Sequence, residues 1–132
     1  MVRAVVVHSD LRQAEEHAEV LRSVGYQVEL CGGPDQDPCP VLGGLPCPLA
    51  DRADVLVYDA RVAGGAEAAR GLVSEVRETY PDLPIVLTSV DPEMRWVELE
   101  GPLRVTPIRG QPSAAELRTA VQTALVDQGM AV

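Results

Sequence analysis

The chain has 132 residues, which is enough for one domain with a hydrophobic core of its own. Its formal net charge is -9 and its basic residues form no cluster, so direct nucleic-acid binding is not expected, because phosphate neutralisation supplies most of that affinity. Hydrophobic residues make up 46% of the chain, but no apolar run reaches membrane-spanning length and the N-terminus lacks a signal-peptide pattern. We therefore expect a cytoplasmic protein with no membrane partner.

The first half of the chain alternates strand and helix patterns. Residues 2–7 are apolar and β-branched, which predicts a buried strand, and residues 27–31 predict a second. The apolar run over residues 53–59 predicts a third strand, covered on both faces, that ends on the carboxylate of Asp59. Between the first two strands we expect a helix with a partly exposed His17. Its apolar face is predicted to contain Leu11, Ala14, Ala18 and Leu21.

Glycine and proline dominate the segment between the second and third strands. Nine of the seventeen residues from 32 to 48 are Gly or Pro. Pro removes backbone donors and Gly raises the entropy cost of ordering, so an ordinary amphipathic helix is not expected here. We expect an irregular loop over residues 32–50 that replaces or shortens the second helix.

The second half continues the alternation. A helix is predicted to end near Tyr80, and a strand follows over residues 85–88. A short helix is predicted over residues 91–99 and a weak fifth strand over residues 103–106. Residues 113–116 form a capping box that opens a final helix. The buried helix faces are predicted to contain Ala69, Leu72, Val73, Val76 and Tyr80, and then Leu117, Val121, Ala124 and Leu125.

This order of elements predicts an α/β fold with a doubly wound parallel sheet. Right-handed crossovers then bring the C-terminal ends of the strands to one edge, where α/β proteins place their ligands. We expect one domain over residues 1–128 and a short tail over residues 129–132. No further domain is predicted after the final helix, so a stand-alone domain is expected.

Three motifs resemble the receiver domain of two-component response regulators. Residues 75–89, EVRETYPDLPIVLTS, are similar to the family's third helix and fourth strand. Residues 54–59 are similar to its third strand, and residues 25–28, GYQV, to the entry into its second strand. The resemblance implies a flavodoxin-like fold with five parallel strands in the order 2-1-3-4-5. It also implies a signalling domain rather than an enzyme, with a sensor kinase, a downstream signalling protein or a second copy of the chain as partner.

The resemblance also assigns functional positions around Asp59. Asp59 falls on the phosphoacceptor position, and Thr88 falls on the position of a hydroxyl that bonds a phosphoryl oxygen in the family. An acidic pair that holds Mg²⁺ in the family falls on His8 and Ser9. The next residue, Asp10, is a carboxylate that we expect to cap the first helix.

The family's lysine precedes a proline at the end of the fifth strand, and this position falls on Thr106, before Pro107. The chain contains no Lys to replace it. Neutral imidazole and hydroxyl groups are poor ligands for Mg²⁺, and phosphoryl transfer depends largely on a metal and a cation. We therefore expect a pseudo-receiver with a degenerate site and no cofactor, acting through protein–protein interaction. A phosphorylation-competent receiver that uses Asp59 with Mg²⁺ is the alternative.

The three cysteines, Cys31, Cys39 and Cys47, lie in or beside the Gly/Pro segment. An odd number of cysteines in a cytoplasmic protein argues against a fixed disulfide framework. The sequence allows three alternatives for these residues: ordinary reduced thiols, a reversible Cys39–Cys47 disulfide, and a Zn²⁺ site completed by His8. A second functional hypothesis is therefore a redox-responsive or metal-responsive switch in this loop.

Overall fold

Five strands form a single parallel sheet in the order β2-β1-β3-β4-β5 in the computed structural model, which describes residues 2–32, 47–63, 66–90 and 105–127. Each of the four strand pairings is parallel. This result confirms the predicted flavodoxin-like fold class and the predicted strand order. The strands are β1 (Arg3–Val7), β2 (Gln27–Cys31), β3 (Val55–Asp59), β4 (Ile85–Val90) and β5 (Val105–Arg109).

Helices in the described residues cover both faces of this sheet. They are α1 (Leu11–Arg22), α2 (Pro48–Arg52), α3 (Ala66–Thr79) and α4 (Ala114–Asp127), and a 3-10 turn (Ala60–Ala63) follows β3. Val6 and Val57 belong to the core cluster under α1 and α4, while Val5 and Leu56 belong to the cluster under α3. Alternate strand residues point to opposite faces, so each strand contributes to both clusters. Within these residues, every helix is too short or too polar to cross a membrane.

Two predicted helix caps are present. Asp10 Oδ1 accepts hydrogen bonds from the backbone nitrogens of Arg12 at 3.0 Å and Gln13 at 3.2 Å. Ser113 Oγ accepts from the Glu116 nitrogen, and Glu116 Oε1 accepts from the Ser113 nitrogen, both at 3.1 Å. These bonds satisfy donors that the first helical turn leaves without intrahelical partners. They fix the starts of α1 and α4 just beyond the C-terminal ends of β1 and β5.

The fifth strand lies later in the chain than predicted. The prediction was residues 103–106, whereas β5 runs over Val105–Arg109. Pro107 is exposed on this edge strand, which is the place where a sheet tolerates a proline that cannot donate to the ladder. The strand therefore continues through the proline.

Two predicted helix faces also differ from the structure. Leu11 is 69% exposed and His17 is only 6% exposed, so α1 buries the histidine and not its first leucine. Leu11 lies in the first turn of α1, before the turns that cover the sheet. In addition, α3 ends at Thr79, and Tyr80 lies beyond it. Pro81 follows, and a proline disfavours the helical conformation of the residue before it.

Some predicted features lie outside the described residues. These are residues 33–46 of the predicted loop, the short helix over residues 91–99 and the tail over residues 129–132. The helix α2 has five residues and begins at Pro48, so the end of the range predicted as irregular is helical. Proline is well suited to a first helical position because its missing N–H needs no partner there. The domain bounds 1–128 stay a prediction.

Candidate functional site

The C-terminal ends of β1, β3 and β4 bring three buried polar side chains to one edge of the sheet. His8 follows β1, Asp59 is the last residue of β3, and Thr88 pairs with Asp59 in register. The exposed fractions are 2% for His8, 1% for Asp59 and 0% for Thr88. Burial of a carboxylate is costly unless it is hydrogen-bonded, so the partners of Asp59 determine what this site can do.

Asp59 Oδ2 receives hydrogen bonds from β4 and from the chain that follows β5. Thr88 Oγ1 donates to it at 3.1 Å and Ser89 Oγ at 2.7 Å. Gln111 Nε2 donates to Asp59 Oδ2 at 3.1 Å and to Ser89 Oγ at 2.6 Å. An oxygen surrounded by donors in this way belongs to an ionised carboxylate, because a protonated one would bring a further donor.

Ser89 reaches Asp59 from an unusual backbone conformation. Its φ is 58°, and the β4–β5 register shifts between Leu87 and Val90. The Ser89 nitrogen donates to the carbonyl of Gly110 at 2.9 Å. A non-glycine residue in this left-handed region costs on the order of 1–2 kcal/mol, and such residues persist where surrounding bonds hold them. Here the bonds to Gly110 and Asp59 hold it, and the irregularity turns the hydroxyl towards the carboxylate.

Arg61 binds the other side of the carboxylate. Its backbone nitrogen and its Nε donate to Asp59 Oδ1 at 3.0 Å and 3.1 Å, and its Nη2 lies 3.4 Å from Oδ2. The same Nη2 donates to Gln13 Oε1 at 2.9 Å, which joins the guanidinium to α1. The Arg61 side chain is 54% exposed, whereas that of Asp59 is 0% exposed. The guanidinium therefore lies between the carboxylate and solvent.

His8 lies between Asp59 and α1. Its Nδ1 accepts a hydrogen bond from the Asp10 backbone nitrogen at 3.0 Å, which assigns a neutral ring with its proton on Nε2. Nε2 lies 3.1 Å from Asp59 Oδ2 but is not directed along a hydrogen bond, so we treat this pair as an electrostatic contact. The ring of His17 meets that of His8 edge-on, with centroids 5.5 Å apart. Burial lowers the pKa of His17.

The donors around Asp59 control its protonation. Burial alone would raise the pKa of this carboxyl, but hydrogen bonds from Arg61, Ser89 and Gln111 outweigh burial and lower the pKa from 3.8 to about 2. Asp59 is therefore ionised at neutral pH, and Arg61 of the same chain balances its charge.

The residues around Asp59 do not fit the magnesium ion that the receiver resemblance implies. Mg²⁺ demands near-octahedral oxygen ligands at about 2.0–2.1 Å. His8 presents a ring N–H, Arg61 covers Oδ1, Ser9 is exposed, and the Asp10 carboxylate caps α1. In the part of the chain that the structure describes, no three His, Cys, Asp or Glu side chains are grouped so that they could hold a metal ion.

The polar residue that reaches Asp59 from beyond β5 is Gln111, and not Thr106. Thr106 in β5 pairs with Val86 in β4, and Val86 lies two positions before Thr88. Thr106 therefore lies away from the C-terminal edge of the sheet and makes no hydrogen bond to Asp59. Gln111 also precedes a proline, and the capping box of α4 follows at once. Gln111 lies two residues before Ser113, the first residue of that capping box, and this spacing is the sequence signal for a residue at the edge of the sheet.

Arg61 and Ser89 were not singled out from the sequence. Arg61 carried a weak signal, its place two residues after Asp59, where an aspartate side chain commonly bonds the backbone of a turn. Ser89 adjoins Thr88, but strand alternation places neighbouring side chains on opposite faces. Only the positive φ of Ser89 brings both hydroxyls to the same oxygen.

Two of the three cysteines lie within the described residues. Cys31 and Cys47 are half-buried and pack against the core cluster under α3. Cys47 forms no disulfide with a described cysteine. Cys39 lies outside the described residues, so the Cys39–Cys47 disulfide and the zinc site stay predictions.

No protein-family model matches the sequence, and no curated protein matches it either. Among solved structures, the chain is similar to NtrX from Brucella abortus, with 19% identity and a TM-score of 0.72 over 96% of this chain and 27% of that chain. It is similar to a CheY-like response regulator receiver domain protein from Methanospirillum hungatei JF-1, with 14% identity and a TM-score of 0.73 over 98% and 97% of the two chains. It is also similar to a putative pilus assembly protein, CpaE, from Burkholderia thailandensis E264, with 21% identity and a TM-score of 0.72 over 96% and 99% of the two chains.

The chain thus spans about a quarter of the length of NtrX and nearly the whole length of the other two proteins. Similarity to solved structures at 14–21% sequence identity establishes the fold of this chain and not its function. The strand order, the two-sided helix cover and these matches agree, and the chain has the fold of response regulator receiver domains.

Proposed function

We propose that this chain is a receiver-like signalling domain in which Asp59 is a fixed part of the structure and accepts no phosphoryl group. Its output is then the binding of a protein partner, either a sensor kinase or a downstream signalling protein. One observation carries the proposal: donors of the chain itself engage both carboxylate oxygens of Asp59.

A carboxylate attacks phosphorus only with a lone pair that is free and in line with the leaving group. Asp59 Oδ1 accepts two hydrogen bonds from Arg61, and Oδ2 accepts bonds from β4 and from Gln111. Its side chain is 0% exposed. Attack would therefore require several of these bonds to break and the guanidinium to move.

The electrostatics also oppose phosphoryl transfer. The reaction needs positive charge on the oxygens of the transferred group, which a metal ion and a basic residue ordinarily supply. Around Asp59 the side chains of His8 and Gln111 are neutral, and the charge of Arg61 is already paired with the carboxylate. An incoming phosphoryl group would meet no cation that is free to bind it among the described neighbours of Asp59.

Small phosphodonors test the proposal directly. The protein is incubated with acetyl phosphate or with beryllofluoride, each with and without Mg²⁺, and followed by intact mass and by amide NMR. We expect no added phosphoryl mass and no shift of amide signals around Asp59. The Asp59→Asn variant is the control. A stoichiometric, Mg²⁺-dependent adduct that Asp59→Asn lacks would overturn the proposal.

A second copy of the chain is the alternative partner. Sedimentation velocity over a wide range of protein concentrations separates the two cases. A monomer at every concentration favours a different protein as partner, and a concentration-dependent dimer favours self-association.

A further inference from the structure

We infer that Arg61 is the resident cation of the Asp59 site and that its guanidinium excludes divalent metal ions from the carboxylate. This inference rests on the proposed function, because it explains how the carboxylate stays charged without a metal. It also assigns a role to a residue that neither the sequence motifs nor the comparisons mark.

The geometry of the guanidinium carries the first step. Arg61 Nε lies 3.1 Å from Oδ1 and Nη2 lies 3.4 Å from Oδ2, so the fork spans both oxygens of Asp59. The backbone nitrogen of Arg61 donates to Oδ1 as well, at 3.0 Å. A carboxylate oxygen has about two lone-pair directions, so Arg61 alone uses those of Oδ1.

The other oxygen offers no better place for a metal. Thr88, Ser89 and Gln111 donate to Oδ2, and the proton-bearing Nε2 of His8 lies 3.1 Å from it. A divalent cation needs an oxygen lone pair at about 2.1–2.6 Å together with further oxygen ligands. The three donors already use the lone pairs of Oδ2, so a cation could bind there only by displacing them.

A contact from α1 positions the guanidinium. Gln13 Oε1 accepts from Arg61 Nη2 at 2.9 Å. The guanidinium is therefore held by Asp59 through Nε and Nη2 and by Gln13 through Nη2. The Arg61 side chain is 54% exposed and belongs to neither core cluster, so we expect its replacement to leave the hydrophobic core intact. Among the groups that lower the pKa of Asp59, the Arg61 side chain has the largest effect, which agrees with its hydrogen bonds to the carboxylate.

Three variants test the inference. Arg61→Ala removes the cation, and Arg61→Lys keeps a positive charge but loses the fork. Arg52→Ala is the matched control, because Arg52 is 50% exposed and pairs with Glu29 at 2.9 Å in another part of the chain. Amide NMR spectra first establish that each variant is folded.

Two quantities are then measured for each protein: the pKa of the Asp59 carboxyl by carbon-detected NMR titration, and the local response to Mn²⁺ by paramagnetic broadening. We expect Arg61→Ala to raise the pKa of Asp59 by about one pH unit or more. We also expect Mn²⁺ to broaden the amide signals around Asp59 in Arg61→Ala, with at least tenfold tighter binding than in the wild-type protein. Arg52→Ala should keep the wild-type pKa of Asp59 and its wild-type response to Mn²⁺. Arg61→Lys keeps the charge but loses the fork, so both quantities should fall between those of Arg61→Ala and those of the wild-type protein. Residue-level readout is necessary because a chain of net charge -9 attracts cations elsewhere on its surface.

An unchanged pKa of Asp59 in Arg61→Ala, or an unchanged response to Mn²⁺, overturns the inference. The proposed function survives that result if the wild-type protein still forms no adduct with phosphodonors. Specific binding of Mg²⁺ at Asp59 in the wild-type protein, accompanied by an adduct, would refute both.

Discussion

Acidification should destabilise the folded domain through Asp59 over a defined range of pH. The pKa of this carboxyl is about 2 in the folded chain and 3.8 without the fold. At about 1.4 kcal/mol per pH unit, the difference adds about 2.5 kcal/mol to the free energy of unfolding at neutral pH. Because the folded-state pKa is depressed, this contribution is complete above about pH 5, declines as the pH falls through 3.8, and is lost below about pH 2.

The assay is urea unfolding of wild type and Asp59→Asn across this range, with sucrose added to keep both proteins folded in acid. The stability difference between them should shrink by about 2.5 kcal/mol as the pH falls from neutral to about 2. Asp82→Asn is the control: it removes an exposed carboxyl from the turn before β4 and should keep the wild-type pH dependence. A wild-type to Asp59→Asn difference that stays constant with pH would show that the donors do not hold Asp59 ionised.

Four other positions allow shorter tests. The pKa of His17 is lowered from 6.5 in the folded chain, so the wild type should lose stability as the pH falls below 6.5, and His17→Gln should lose less in urea unfolding. Ser89→Ala and Ser89→Gly both lose the hydroxyl, but only glycine tolerates a φ of 58°, so Ser89→Gly should be more stable by roughly 1 kcal/mol in the same assay. Thermal unfolding should show a loss of about 1 kcal/mol for Ser113→Ala, from the capping box, and of about 2–5 kcal/mol for Leu125→Ala, from the core.

The sheet was predictable because its signals are local and strong. The apolar run that ends at Asp59 has the composition of a strand covered on both faces, and β3 is buried at all five positions. The caps at Asp10 and Ser113 were legible because a short polar side chain before an apolar helical pattern has few other uses. The strand order followed from the resemblance and not from these patterns.

The site was harder to predict because its contacts join residues far apart in the chain. Gln111 and Asp59 are in hydrogen-bond contact across 52 positions, and no periodic pattern reports such a pair. Thr106 and Gln111 each precede a proline, and the correct bounds of β5 are needed to decide which one lies at the edge of the sheet. His17 has the polarity of a surface residue, and only the packing of α1 against His8 shows that it is buried.

The composition of the Asp59 site argues that the carboxylate stabilises the edge of the sheet. A buried carboxylate without partners would be costly, and replacement by an apolar residue would remove that cost. Asp59 instead accepts bonds from the 3-10 turn through Arg61, from β4 through Ser89 and from the chain after β5 through Gln111. Loss of Asp59 would leave these donors without their acceptor and Ser89 in a strained conformation with one fewer bond to hold it. Asp59 therefore joins three separate segments of the chain at this edge, and under the proposed function partner binding that depends on this edge should respond to Arg61→Ala as well as to Asp59→Asn.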